Sequence, residues 1–355
     1  HDGNLLAYGL ADAGSDWQVW KIRDVRTGQD LPDVLKWIKF SSPTWTKDGA
    51  GLYYSRFDEP KPGDALTSVN KLQKIYYHKL GTPQSADRLV YERPDHDDWG
   101  FDEAVTDDGH YLIINVSTGS DQRNRVYYLD LTQPGAQVTP LLDNFDAQYG
   151  FIDNDGPIFW FQTNQDAPRG RVIAVDITQP ARVFWKEIVP QAPETLEGVS
   201  ALNNSFVCSY LKDAHSEVKI FSLDGTPRGQ VTLPGLGTLT GFSGKRSDTE
   251  TFYSYMSFTV PRTIYHFDLA TDKSAIFRQP KVDFDPSQFE TTQVFYTSKD
   301  GTRVPMFITY KKGLHLDGTN PTLLYGYGGF DINITPWFSA ANVVWLEMGG
   351  VYAVA

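Results

Sequence analysis

Asp48-Gly49-Ala50-Gly51-Leu52-Tyr53-Tyr54-Ser55-Arg56-Phe57, followed after a polar loop by Lys74-Ile75-Tyr76-Tyr77-His78-Lys79-Leu80, is the stretch on which the fold turns. The Asp-Gly corner supplies the positive φ of a tight turn, and each arm is a short aromatic-rich run of the kind that makes a half-buried strand. The same unit recurs at Asp2-Gly3 to Leu10 with Trp17 to Val25, at Asp108-Gly109 to Val116 with Arg125 to Leu131, and at Asp155-Gly156 to Gln162 with Arg171 to Ile177. Less regular copies run from Asn203 to Leu211 with Glu217 to Leu223, and from Asp248 to Ser257 with Arg262 to Leu269. Their starts lie roughly 45 to 60 residues apart, the period of β-propeller blades. Alternation of Trp45, Leu52, Tyr54 and of Tyr127, Leu129, Leu131 supports the strand reading. The expected fold is mainly β: a β-propeller with six visible blades. Because the chain opens inside a hairpin at His1-Asp2-Gly3, a seventh blade is expected to precede it.

After about residue 285 the pattern changes. Thr291 to Ser298 and Arg303 to Tyr310 flank Lys299-Asp300-Gly301-Thr302 as a hairpin, and Pro321 to Tyr325 reads as a buried strand. Thr335 is placed to cap a helix with Pro336 at its first position, and Trp337, Phe338, Ala341, Val344, Trp345 and Met348 recur at helical spacing. Gly349-Gly350 stops the helix and Val351 to Ala355 opens another strand, so the order predicts a βαβ unit with parallel strands. The expected domains are a propeller over residues 1–283 and an incomplete second domain over 284–355. An apolar run that stops at Ala355 without a turn implies truncation on that side as well.

Composition narrows the function. Forty-four Asp and Glu against 32 Lys and Arg give a net charge of −12, and no basic run exceeds two residues, which argues against a nucleic-acid partner. The acidic balance favours solubility, and with no run of 18 apolar residues no membrane span is expected. The lone Cys208, in the apolar run Phe206 to Leu211, reads as a buried thiol. His78, His96, His110, His215, His266 and His315 show no metal-ligand spacing, and Asp95-His96-Asp97-Asp98 reads as a solvated loop, so neither a metal nor a cofactor is expected.

Tyr325-Gly326-Tyr327-Gly328-Gly329-Phe330 lacks the Lys-Ser/Thr of a phosphate loop and the full spacing of a dinucleotide fingerprint. A glycine-rich loop between a strand and a helix contributes to the oxyanion hole in α/β-hydrolases, and equally it can simply permit a tight turn. Spacing alone leaves both readings open. No Gly-x-Ser-x-Gly occurs; Gly241-Phe242-Ser243-Gly244 comes nearest, with Lys245 in place of the last glycine.

Leu324-Tyr325-Gly326-Tyr327-Gly328-Gly329-Phe330, Ile334-Thr335-Pro336 and Gly349-Gly350-Val351-Tyr352-Ala353-Val354-Ala355 together resemble the prolyl oligopeptidase family of serine peptidases. So do Phe295 to Thr302 with Val304-Pro305-Met306-Phe307, and Tyr76-Tyr77-His78 with Leu80-Gly81-Thr82. The resemblance covers nearly the whole chain. It implies a seven-bladed propeller joined to an α/β-hydrolase domain, of which 284–355 would be the first strands and helix.

Residue by residue, the resemblance implies that the Tyr327 hydroxyl donates to the oxyanion and that Phe330 lines the pocket for the substrate proline. Phe40, in Lys39-Phe40-Ser41, matches a propeller residue facing the active-site cavity. Gly100, Ser117 and Ser120 occupy positions that meet peptide in some relatives. The serine, aspartate and histidine of the family triad lie beyond Ala355. The implied activity is endopeptidase cleavage of short peptides after proline by acyl transfer, with the propeller restricting access and the complete protein a monomer. The 355-residue chain alone is then expected to be inactive, and the compartment to be cytoplasm or periplasm. The rival reading is a non-catalytic propeller that binds a peptide or protein.

Overall fold

A computed structural model describes residues 3–12, 14–67, 69–330 and 332–355; His1 and Asp2, where the sequence reading expects the first turn, lie outside the described residues. The chain forms two compact units, His1–Pro168 with Ile173–Lys186, and Arg169–Val172 with Glu187–Ala355.

In the first unit the strands fall into antiparallel sheets in chain order. Leu5–Ala11, Gln18–Asp24 and Gln29–Ile38 make a three-stranded first sheet. Thr44–Trp45, Gly51–Arg56, Lys74–Lys79 and Arg88–Tyr91 make the second, and Trp99–Val105, Tyr111–Thr118, Arg125–Asp130 and Thr139–Leu142 the third. Tyr149–Asp155 pairs with Ile158–Thr163 to open the fourth group; the next two strands in the chain, Arg171–Asp176 and Lys186–Val189, are each divided by the unit boundary. In the second unit Thr195–Leu202, Ser205–Lys212, His215–Ser222 and Pro227–Gln230 form one four-stranded sheet, and Thr238–Gly241, Glu250–Met256, Thr263–Asp268 and Lys273–Arg278 the next. These are the six groups that the sequence repeat predicts.

Local chemistry makes the repeat. Gly49 adopts φ +69°, and the Asp48 carboxylate accepts from Thr46 Oγ1 at 2.7 Å and from the Ala50 N–H at 3.0 Å. Thr106, Asp108 and His110 repeat the device one sheet later. At the other hairpin end Asp130 accepts from the Thr132 N–H, and Asp176 from the Thr178 N–H. Each turn thus satisfies its own backbone donors and sets the hairpin register without outside help.

Successive sheets bury apolar faces against one another. Ile22, Leu35 and Ile38 meet Leu52 and Tyr54 between the first and second, and Tyr53 and Ile75 meet Trp99, Phe101, Leu112, Ile114 and Tyr127 between the second and third. In the second unit Leu202, Val207, Val218 and Ile220 pack with Tyr253, Tyr255 and Phe267. Cys208 is a free, fully buried thiol whose pKa burial raises to about 12.

The last sheet is mixed. Phe289–Thr297 pairs with Arg303–Lys311, which pairs antiparallel with Val351–Val354, and that strand runs parallel to Thr322–Tyr325. The helix Ala340–Glu347 lies between the two parallel strands in sequence, so the βαβ unit is present.

Two details depart from the sequence reading. The helix starts at Ala340, not at Pro336, and Thr335 does not cap it. Residues 332–339 stay outside the helix because tertiary contacts claim them: Thr238 Oγ1 donates to the Pro336 carbonyl at 2.6 Å, and the Trp337 ring packs 5.3 Å from Tyr325 and 6.0 Å from Phe258. The strand expected to be buried is an exposed edge, with Leu323 at 45% and Leu324 at 63% accessibility. Among the described residues its only strand neighbour is Val351–Val354.

Candidate functional site

In the first unit the chain leaves the Gln29–Ile38 strand through Lys39-Phe40-Ser41. Lys39 is buried with its ammonium 4.1 Å from the centre of the Trp17 ring, and buried Ser41 donates to the Ser55 carbonyl at 3.0 Å. With both neighbours tethered and Phe40 itself at φ +58°, the phenyl ring is turned outward and is 71% exposed. Left-handed backbone at a bulky residue is costly and persists only where its surroundings enforce it.

The tether extends to the third sheet through one side chain. Buried Gln73 donates from Nε2 to the Lys39 carbonyl at 3.2 Å and accepts at Oε1 from the Phe101 N–H at 2.7 Å. Phe40, Phe57, Val69, Gln73, Trp99 and the Gly100–Asp102 strand segment, with Ser117, enclose a cavity of about 540 Å³. Gly100 stands directly across from Ser117 in the strand pair, and a Cβ at Gly100 would sit 2.9 Å from Ser117 Oγ. The wall is therefore closed to larger side chains. Aromatic sides with a few amide and hydroxyl groups, and the carboxylates of Asp98 and Asp102 in the wall, suit an apolar side chain of an extended ligand.

Two acids interrupt the otherwise apolar Trp99–Val105 strand. Glu103 is buried, accepts from Ser55 Oγ at 2.5 Å, and has no partner at Oε1 among the described residues. Burial pushes its pKa up to about 8, with the Asp102 charge adding to the shift. Asp102 is open to solvent, yet desolvation within the concavity raises its pKa too.

The second unit holds the glycine loop. The Tyr325 carbonyl accepts from the Ala355 N–H at 3.0 Å, which fixes the loop's start, and the Ile332 N–H donates to the Gly329 carbonyl at 3.1 Å. Gly328 at φ +65° and Phe330 at φ +55° reverse the chain between these anchors. Tyr327 is 49% exposed, and its hydroxyl has no hydrogen-bond partner among the described residues. Phe330 is 90% exposed. A phenol held on an anchored loop with its O–H uncommitted can donate to a developing oxyanion.

Phe40 belongs to the first unit, and Tyr327 and Phe330 belong to the second. Gly100 and Ser117 line the Phe40 cavity; Ser120 does not. Of the histidines, His78 is fully buried between Asp33 and Asp87. The Asp95 to Asp98 loop carries ordinary ion pairs, Arg93 with Asp95 at 2.8 Å and Lys71 with Asp97 at 2.6 Å. Gly241-Phe242-Ser243-Gly244 is no nucleophile turn: Phe242 is buried against Tyr253, and no helix follows. Sequence reasoning missed Gln73, Asp102 and Glu103. Paired acids inside a strand were a signal for the last two, whereas Gln73 offered none.

A sequence model described as the prolyl oligopeptidase N-terminal β-propeller domain matches residues 1–280. Prolyl endopeptidase from Elizabethkingia meningoseptica is 38% identical over 352 residues, covering 99% of this chain and 49% of the relative. Prolyl oligopeptidase A from Galerina marginata is 34% identical over 374 residues, with 98% and 50% coverage. A solved prolyl endopeptidase superposes with a TM-score of 0.87 at 41% identity, over 99% of this chain and 50% of that one. The chain spans about half the length of these relatives. With a propeller-domain match over residues 1–280 and alignment along almost all of its length, this chain belongs to the prolyl oligopeptidase family.

Proposed function

We propose that the chain is the propeller-bearing part of a serine-type endopeptidase that cleaves short peptides on the carboxyl side of proline. Residues 1–283 are read as the propeller that restricts access, and 284–355 as the beginning of the peptidase domain. The change from antiparallel sheets to a mixed sheet with a βαβ unit supports that division.

The observation that carries the reading is the Tyr327 loop, which joins a strand to a helix and leaves the hydroxyl without a partner among the described residues. In this role the Tyr327 O–H and a backbone N–H hold the oxyanion formed when a serine attacks the carbonyl after proline. Phe330 lines the proline pocket, and the Phe40 cavity receives a neighbouring apolar side chain. A relative, prolyl oligopeptidase B from Galerina marginata, has been solved bound to a 35-residue hydrolysis and macrocyclization substrate, which fits a peptide ligand.

The complete protein is assayed on a chromogenic peptide with proline before the scissile bond, beside the same peptide with alanine there. Cleavage of the first alone, blocked by a serine-reactive phosphonate, is expected. Cleavage of neither, or of both equally, would overturn the reading.

A further inference from the structure

A second cavity of about 360 Å³ adjoins the Phe40 cavity, and the two share Asp102 and Ser117 in their walls. We propose that this second cavity is a cation subsite, taking an ammonium or guanidinium group of the bound peptide with the Asp102 carboxylate as its counter-ion. The proposal rests on the peptide-binding reading of the Phe40 cavity.

Strand register explains the layout. Gly100, Asp102 and Ala104 alternate onto one face of the third sheet, opposite Ser117, Asn115 and Ile113 on the adjoining strand. Gly100 belongs to the first cavity, Ala104 to the second, and Asp102 to both. Residues two apart on a strand are roughly 7 Å apart, the repeat of an extended peptide as well. A peptide whose apolar side chain fills the first cavity therefore presents its next one or two residues to Asp102.

Charge decides what those residues carry. Asp121 and Arg123, at the rim, neutralise each other through contacts of 2.6 to 3.2 Å. Glu103 stays protonated at neutral pH, so it adds no charge. Asn124 is already committed: its amide donates to the Tyr149 carbonyl at 2.8 Å and accepts from the Tyr149 N–H at 2.7 Å. Among the described residues Asp102 remains the one uncompensated charge lining the second cavity. A cation there restores by pairing what the concavity removes by desolvation.

Three versions of one short proline-containing peptide test this on the 355-residue chain by calorimetric titration near pH 6.5: free amino terminus, acetylated terminus, and acetylated with a terminal lysine. Free-amine or lysine peptide should bind roughly tenfold or more tightly than the acetylated one, the size of one charge-assisted hydrogen bond. Which of the two gains identifies the source of the cation. Asp102→Asn should close the gap, whereas Phe40→Ala should weaken all three alike. Equal binding of the three peptides, with Phe40→Ala still weakening them, overturns the cation subsite alone, as does a gap that survives Asp102→Asn. No binding of any peptide overturns the peptide reading and the subsite with it.

Discussion

The imidazole of His78, on the second sheet, reaches Asp33 of the first, with Nε2 2.9 Å from Asp33 Oδ1. Its other nitrogen, Nδ1, lies 2.7 Å from Asp87 Oδ1, and all three side chains are buried. A neutral imidazole has one N–H, so a carboxylate on each side requires the imidazolium. Tyr54 and the Gly81 N–H complete the network by donating to Asp87 and Asp33.

Burial lowers the His78 pKa, but the hydrogen bonds and charges of Asp87 and Asp33 outweigh it and the net shift is upward. The resulting stability is fully present below the unfolded value of about 6.5 and is lost as pH climbs through the higher folded value. His78→Gln is expected to cost roughly 3 kcal/mol at pH 6, as for a broken buried ion pair. The cost should shrink towards pH 9. Thermal midpoints of both proteins across that range check it, and a cost independent of pH would refute the imidazolium assignment.

Glu103 should act with the opposite chemistry and the same direction. Its folded pKa of about 8 lies above the ordinary value near 4.3, so between those values the native chain keeps a proton that the unfolded chain has lost. Stability therefore falls through that window by something of the order of 1 kcal/mol per pH unit, and levels off above pH 8. Glu103→Gln can still accept from Ser55 and never ionises. Its stability relative to the parent should rise steadily from pH 5 to pH 8 in denaturant titrations; a constant difference would rule out the raised pKa.

Gln73→Leu removes both ends of the link between the Phe40 loop and the third sheet. It leaves the Lys39 carbonyl and the Phe101 N–H unpaired, at roughly 1–3 kcal/mol for each buried group. Peptide affinity should drop along with stability, because Phe40 loses its outward placement. Gln73→Glu, which can still accept from Phe101, should recover part of the stability. Unaltered stability in Gln73→Leu would show that the link is dispensable.

On the proposed function, Tyr327→Phe in the complete protein is expected to lower kcat by roughly 10²–10³ with a smaller change in KM. The hydroxyl has no partner among the described residues, so the thermal midpoint should stay within about a degree of the parent. A kcat loss below about threefold returns Tyr327 to the role of a surface aromatic.

The turns, the hairpins and the parallel βαβ order were legible in the sequence because they are local. Asp48-Gly49 and Asp108-Gly109 satisfy their own backbone groups, and period-2 alternation from Leu52 to Tyr54 needs only neighbouring residues to be read. Tyr327 was singled out by resemblance, through the motif around it, and its oxyanion role stands as a proposal. What only the tertiary structure decided depends on partners far along the chain. Thr238 holds Pro336 and so shifts the helix start to Ala340, and Gln73 ties Lys39 to Phe101. Asp33 turns His78 from an ordinary strand residue into a buried cation, and burial raises the Glu103 pKa against the opposing pull of its Ser55 hydrogen bond. Burial and pairing at such separations follow from how sheets stack, a property that no local pattern of residues encodes.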